Sequence, residues 1–263
     1  MVKQTSFSES LIVQARVIGA LIMREIITRF GRHNIGFLWL FVEPMMFTLG
    51  IATLWYVTKA SHGHDVPIVE FALTGYSTVL LWRNCATRCV GGLKPNLSLL
   101  FHRNVKPLDV FLARIILEIA GATASFYCLT VVFWLFGLAG LPAHPARVIV
   151  AWGLTAFLST GLGLFIGAVS ELSEVAERVW HTVTYLLFPF SGAVFMVDWL
   201  PAKAREAVLL LPWVHGVEML RSGYLGDAYT YHYSTAFMCW TASLLMLGGL
   251  LILKVVHRRV EAG

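Results

Sequence analysis

Residues 29–44 read RFGRHNIGFLWLFVEP. Two arginines open the stretch, and Ile35, Phe37 and the run from Leu38 to Val42 follow without a charge. Glu43 and Pro44 then fall where a hydrophobic helix should simply continue. Glu43 lies nine residues past Asn34, which is about 13 Å along a helix rising 1.5 Å per residue. Proline at the next position removes one backbone hydrogen bond and bends the helix. In water neither residue needs a partner, whereas in hydrocarbon both do. Composition decides which surroundings apply.

The chain has 263 residues, 57% hydrophobic and only 13% charged, with a mean hydropathy of +0.72. Soluble domains carry about 25% charged residues. Half that value leaves too little polar surface to cover a water-soluble globule, so the chain reads as an all-α membrane protein. Six segments are each long enough to cross about 30 Å of hydrocarbon. They are Asn34–Val57, Ile68–Val90, Leu108–Gly137, Ala146–Ser170, Val179–Val197 and Ser234–Val256. Residues 1–33 precede this membrane domain of 34–257, and 258–263 form a short tail. The first 30 residues, with Lys3, Glu9, Arg16, Arg24, Glu25 and Arg29, lack the apolar core of a signal peptide.

Cations set the direction. With the N-terminus inside, only Lys59, Arg147, Lys203, Arg205 and Arg221 of the 20 Lys and Arg fall outside. The positive-inside bias places both termini in the cytoplasm and accounts for the net charge of +5 without nucleic acid. Cys85 and Cys89 lie one helical turn apart, but with no nearby His or third Cys they read as small buried hydrophobes.

Three segments outside the spans carry information. Leu11, Ala15, Ile18, Ile22 and Ile26 recur at helical spacing after Ser6 and Glu9, a capping-box pair, which predicts an amphipathic helix on the cytoplasmic membrane surface. Between Lys94 and Pro107, the run Leu97, Leu99, Leu100, Phe101, His102 and Arg103 is either a docking knob for a soluble partner or a cation-anchored turn. Asp198–Tyr233 is too long and apolar for a plain outer connector. Its pattern predicts one helix over Ala202–Leu211 and a second opened by Pro212 and closed by Gly223, with Glu218 and Arg221 paired on one face, the whole dipping back into the membrane.

Arg83 and Arg88 interrupt the far end of the second span. Either meets an anionic sugar or lipid phosphate, or snorkels to headgroups. Five residues of helix put them about 140° apart, so a shared face is not required. Trp82, Trp199, Trp213, Tyr224 and the tyrosines at 229, 231 and 233 read as interfacial aromatics.

No phosphate loop, HExxH, GxSxG or metal-ligand cluster occurs in the sequence. Ser191 has neither a His nor a carboxylate placed to activate it. Energy for any transport therefore comes from a gradient or from another chain. A gradient-driven carrier is disfavoured, because no internal repeat places Glu43 and Glu118 in matching positions.

The stretch with Arg29, Arg32, Gly36, Trp39, Glu43 and Pro44, after an amphipathic helix, resembles the start of ABC-2 type transporter permeases. LLPWVHGVEMLRSGYLG at 209–225, with Pro212, Trp213, His215, Glu218 and Arg221, is similar to that family's outer segment. Together the two resemble the permease subunit of bacterial capsular polysaccharide exporters, with exporters of O-antigen, teichoic acid or lipo-oligosaccharide as the alternative branch. The resemblance implies six spans, an interface helix, a re-entrant segment between spans five and six, and no bound cofactor. It implies a homodimer, two copies of a separate ATPase holding ATP and Mg, a periplasmic adaptor and an outer-membrane channel. It makes Lys94–Pro107, with Leu99, Leu100, Phe101, His102 and Arg103, the ATPase-coupling helix, and a lipid-linked acidic polysaccharide the cargo. Arg83, Trp82, Arg88 and Glu43 are the candidates for its path.

Overall fold

A computed structural model describes residues 7–30, 34–58, 66–100 and 105–262, with side chains except at 7, 30, 34–37, 40–41, 58 and 259–262. Every described element is helical. The ten α-helices are α1 (Phe7–Phe30), α2 (Asn34–Thr58), α3 (Ile68–Cys89), α4 (Leu97–Leu100), α5 (Pro107–Leu135), α6 (Pro145–Leu172), α7 (Glu174–Leu186), α8 (Ala202–Val208), α9 (Pro212–Tyr224) and α10 (Thr235–Ala262). Prolines whose missing N–H costs nothing at a first turn open α5, α6 and α9. The Asp109 carboxylate accepts the Lys106 N–H at 2.9 Å and fixes the start of α5.

Helix α6 is the spine, packed most extensively against α10 and α3. One core joins α1, α2, α3, α5, α6 and α10 around Phe111, Phe126 and Trp152, the last two stacked at 4.6 Å. A second lies between α3, α6, α7, α9 and α10 around Trp82, Trp180 and Trp213. Among the described residues, α5, α6 and Thr235–Arg258 of α10 are long and apolar enough to cross a membrane. Their outer faces expose Ile116, Val131, Trp134, Ile149, Trp240, Leu244 and Leu251, an apolar jacket that water would not tolerate.

Two sequence expectations change. Val179–Val197 is not one helix. Helix α7 starts earlier and ends at Leu186, and 13 residues span only about 20 Å. The apolar run continues, but Pro189 lacks a donor and Gly192 takes φ +83°, so the chain turns. Gly223 does not close α9, which runs on to Tyr224, and the left-handed residue is Gly226 at φ +76°. Gly223 instead gives room, because a Cβ there would lie 2.8 Å from the Val148 nitrogen.

On α1 the predicted stripe divides. Ile18 and Ile22 pack on the first core, while Leu11 and Ala15 are exposed. Ser6 and Arg32 lie outside the described residues. Cys85 and Cys89 are fully buried.

Candidate functional site

A cleft of about 670 Å³ opens between α2, α3 and α7. Glu43, Pro44, Met46 and Phe47 form one wall, Leu80, Arg83, Asn84, Thr87 and Arg88 another, and His181 a third. Residues 80, 83, 84, 87 and 88 follow the i, i+3, i+4 rhythm of one helix face. Arg83 and Arg88 stand at the two edges of that stripe, so their angular separation does not prevent them from sharing a cleft.

The two arginines differ in their partners. Arg88 lies 3.7 Å from Glu43 and 3.5 Å from Glu118. Arg83 sits over the Tyr185 ring at 4.8 Å and has no carboxylate partner among the described residues. Glu43 is 55% exposed at the cleft wall, and Pro44 beside it is buried. Counting Glu43, Arg83 and Arg88, the cleft keeps one uncompensated positive charge. Trp82 does not line it: this side chain is fully buried and stacks on Trp213 at 4.8 Å. Tyr224 is likewise a core residue and no interfacial aromatic.

Arg88 belongs to a longer ionic chain. Glu118, nearly buried, also accepts from Arg29. Arg29 donates through Nε to Glu25 at 2.9 Å, and Glu25 faces Arg114 at 3.3 Å. Arg114 donates to the Arg88 carbonyl at 2.7 Å. Arg29 is therefore an interior link, not a free interfacial anchor. Glu25 and Arg29 are four apart on α1, Arg114 and Glu118 four apart on α5, and each pair crosses to the other helix. Three carboxylates and three guanidiniums thus bind α1, α5, α3 and α2 into one neutral network ending at the cleft.

The residues 215, 218 and 221 perform another task. Pro189 and Gly192 leave carbonyls without helical partners, and those groups must be satisfied where water is scarce. Arg221, fully buried, donates to the carbonyls of Gly192 at 2.7 Å, Phe195 at 2.6 Å and Ala193 at 2.8 Å. Its guanidinium also lies 3.7 Å over the Phe71 ring. Glu218 accepts the N–H of Val197 at 3.3 Å and of His232 at 3.1 Å, with Arg221 3.9 Å away. His215 Nδ1 accepts the Ser234 N–H at 3.0 Å, which leaves Nε2 to donate to the Leu209 carbonyl at 2.8 Å. The three side chains of α9 replace backbone partners for the irregular chain around them.

At the α3–α5 connection, Lys94–Asn96 forms a 3-10 turn leading into α4. Leu99 and Leu100 are half-buried against the first core, whereas Leu97 and Ser98 face out. Phe101, His102 and Arg103 lie outside the described residues. The turn is tied on two sides. Arg24 of α1 donates to the Asn96 side chain and to the Pro95 carbonyl at 3.2 Å. Lys94 pairs with Glu177 at 2.8 Å, and Glu171 accepts the Leu93 N–H at 2.8 Å. The hydrogen bond to Glu177 raises the Lys94 pKa.

Residues 16–225 match the ABC-2 type transporter family. The chain belongs to that family. It is 46% identical over 259 residues to the capsule polysaccharide export inner-membrane protein CtrC of Neisseria meningitidis serogroup B, covering 98% of this chain and 97% of the relative. It is 42% identical over 258 residues to the corresponding protein BexB of Haemophilus influenzae, at the same coverage. The polysialic acid transport protein KpsM of Escherichia coli is 29% identical over 232 residues, covering 86% of this chain and 89% of that one.

In this ABC-2 type transporter chain, the sequence pointed to Glu43, Arg83 and Arg88, and the fold brings them to one cleft. It did not point to Asn84, Thr87 and His181 as lining residues, although the stripe 80, 83, 84, 87 and 88 is a readable signal. Nor did it join Glu25, Arg29, Arg114 and Glu118. Two i, i+4 pairs of opposite charge on separate apolar helices were the available clue.

Proposed function

We propose that this chain is the permease subunit of an ATP-driven exporter that moves lipid-linked capsular polysaccharide across the bacterial inner membrane. The observation that carries the reading is near-full-length identity, over 98% of the chain, to proteins named for capsule polysaccharide export. The relative named for polysialic acid transport supports an acidic cargo. Since the sequence has no phosphate loop, ATP and Mg belong to a separate ATPase, two copies of which serve a permease homodimer. A periplasmic adaptor and an outer-membrane channel complete the route.

In this reading both termini are cytoplasmic. The six crossings are α2, α3, α5, α6, α7 with the turn after it, and α10. Helix α1 lies at the cytoplasmic interface, and 198–233 is the re-entrant segment. Residues 94–107 dock the ATPase, with Leu97 on the outward side, and the ties from Arg24 and Lys94 carry a push on this turn to α1 and α7. Arg83 supplies the cleft's uncompensated charge to an anionic group of the cargo.

The test is complementation of a capsule-forming bacterium lacking its own export permease. Surface polymer, detected with antibody on intact cells, should return when the chain is supplied. With the phosphate-loop lysine of the partner ATPase replaced, polymer should accumulate inside. Surface polymer that persists without a working ATPase overturns the proposal.

A further inference from the structure

A second groove, of about 160 Å³, lies where the start of α5 meets the end of α10. Pro107, Leu108, Leu250 and Leu253 form its apolar floor, and Lys106, Lys254 and His257 its rim. No carboxylate lines it. The nearest acid on α5, Asp109, does not line the groove: it is buried, holding the Lys106 N–H and the Gln14 side chain, and its charge offsets that of Lys106 only in part. Lys106 and Lys254 are both exposed, and neither has a carboxylate partner among the described residues. From Leu244 to Leu251 the outer face of α10 is apolar, and Lys254 is the first cation after it.

We infer that this groove binds the headgroup and upper acyl chain of one anionic phospholipid of the inner leaflet. A ligand for it must present a negative charge directly beside a hydrocarbon tail, at the depth where an apolar helix face gives way to lysine. An anionic phospholipid does so, with its phosphodiester between two ammonium groups and its tail along Leu250 and Leu253. A zwitterionic lipid adds a cation next to the lysines and gains less. The leaflet rests on the orientation proposed above, but the site itself does not. Held there, the lipid would clamp α5 to α10 beside the docking turn.

The experiment uses the permease–ATPase complex in detergent, stripped of loose lipid and titrated with phosphatidylglycerol or phosphatidylcholine, with bound lipid counted by native mass spectrometry. One phosphatidylglycerol should be retained in preference, and added salt should weaken it. Each lysine near a charged headgroup contributes about fivefold in affinity, so K106Q/K254Q, which removes two, should lower phosphatidylglycerol retention by about 25-fold and change phosphatidylcholine far less. Leu250→Trp, which fills the groove without altering charge, should displace both lipids and guards against a double variant that fails to fold. Equal retention of phosphatidylglycerol in wild type and both variants overturns the site. Retention only in complexes from cells that make the polymer would show a cargo anchor and overturn a resident lipid. Because the readout is bound phospholipid, a failed complementation assay leaves this result standing.

Discussion

Replacing Arg221 by Ala is the sharpest test of how the broken fifth segment is held. The guanidinium is fully buried, with three short hydrogen bonds to carbonyls of the 192–195 turn, a stacking contact with Phe71 and a carboxylate 3.9 Å away. A hydrogen bond from a charged donor contributes about 1.5–3 kcal/mol, and breaking a buried ion pair from one side costs about 3–5 kcal/mol. These terms overlap, because the same cation makes all of the contacts and the turn can relax. We therefore expect R221A to lose about 3–5 kcal/mol. Arg221→Lys keeps the charge but not the planar fork, so it should recover only part of that loss. Equilibrium unfolding in mixed detergent–SDS micelles, followed by tryptophan fluorescence, measures both variants. Adding E218Q to R221A removes the carboxylate left without its cation, so the double variant should lose less than the sum of the singles. A loss under about 1 kcal/mol for R221A, or additivity within about 0.5 kcal/mol, would refute the clamp.

Other expectations concern the surroundings of that clamp, the cleft and the turn at 94–100. Gly75→Ala would set a Cβ 2.7 Å from the Ala193 carbonyl oxygen and 2.8 Å from Arg221 Nη2, so it should cost about 1–3 kcal/mol by overpacking in the same unfolding assay. Arg83→Ala should reduce surface export of an acidic polymer several-fold while the permease still assembles with its ATPase, and normal capsule would return Arg83 to a packing role. Leu97→Glu should weaken co-purification of the ATPase without changing membrane insertion, as should replacement of Phe101 or Arg103. Asp227 is held below its usual 3.8 first by Arg147 and then by His144. Its contribution is thus present above the unfolded value and is lost as pH falls through the folded one. The stability difference between wild type and Asp227→Asn should therefore shrink on acidification below about pH 4, and a constant difference would count against the pairing.

Glu43 shows where sequence reasoning reached and where it stopped. A carboxylate in an apolar run declared that it needs a polar neighbour, because the cost of charge in hydrocarbon is a property of the residue and its depth. Arg88 as that neighbour, and the open cleft in which the two meet, depend on how α2 lies against α3. Trp82 misled for a related reason. An indole beside two arginines at the end of a span has the composition of an interface, but its direction on α3 aims it at Trp213. The fifth segment misled because hydropathy adds up side chains and does not see the backbone, whose unmet carbonyls at 192–195 find their donor 26 to 29 residues later.

The sequence by itself determined the membrane class, the family, and the proline-marked start of α9. Those follow from transfer energies and local backbone chemistry, which act on neighbouring residues. Only the tertiary structure decided which charges meet. Glu118 joins Arg29 and Arg88 from different helices, and Arg221 serves a turn on another segment. Such pairings depend on helix rotation and packing, quantities that no short stretch of chain encodes.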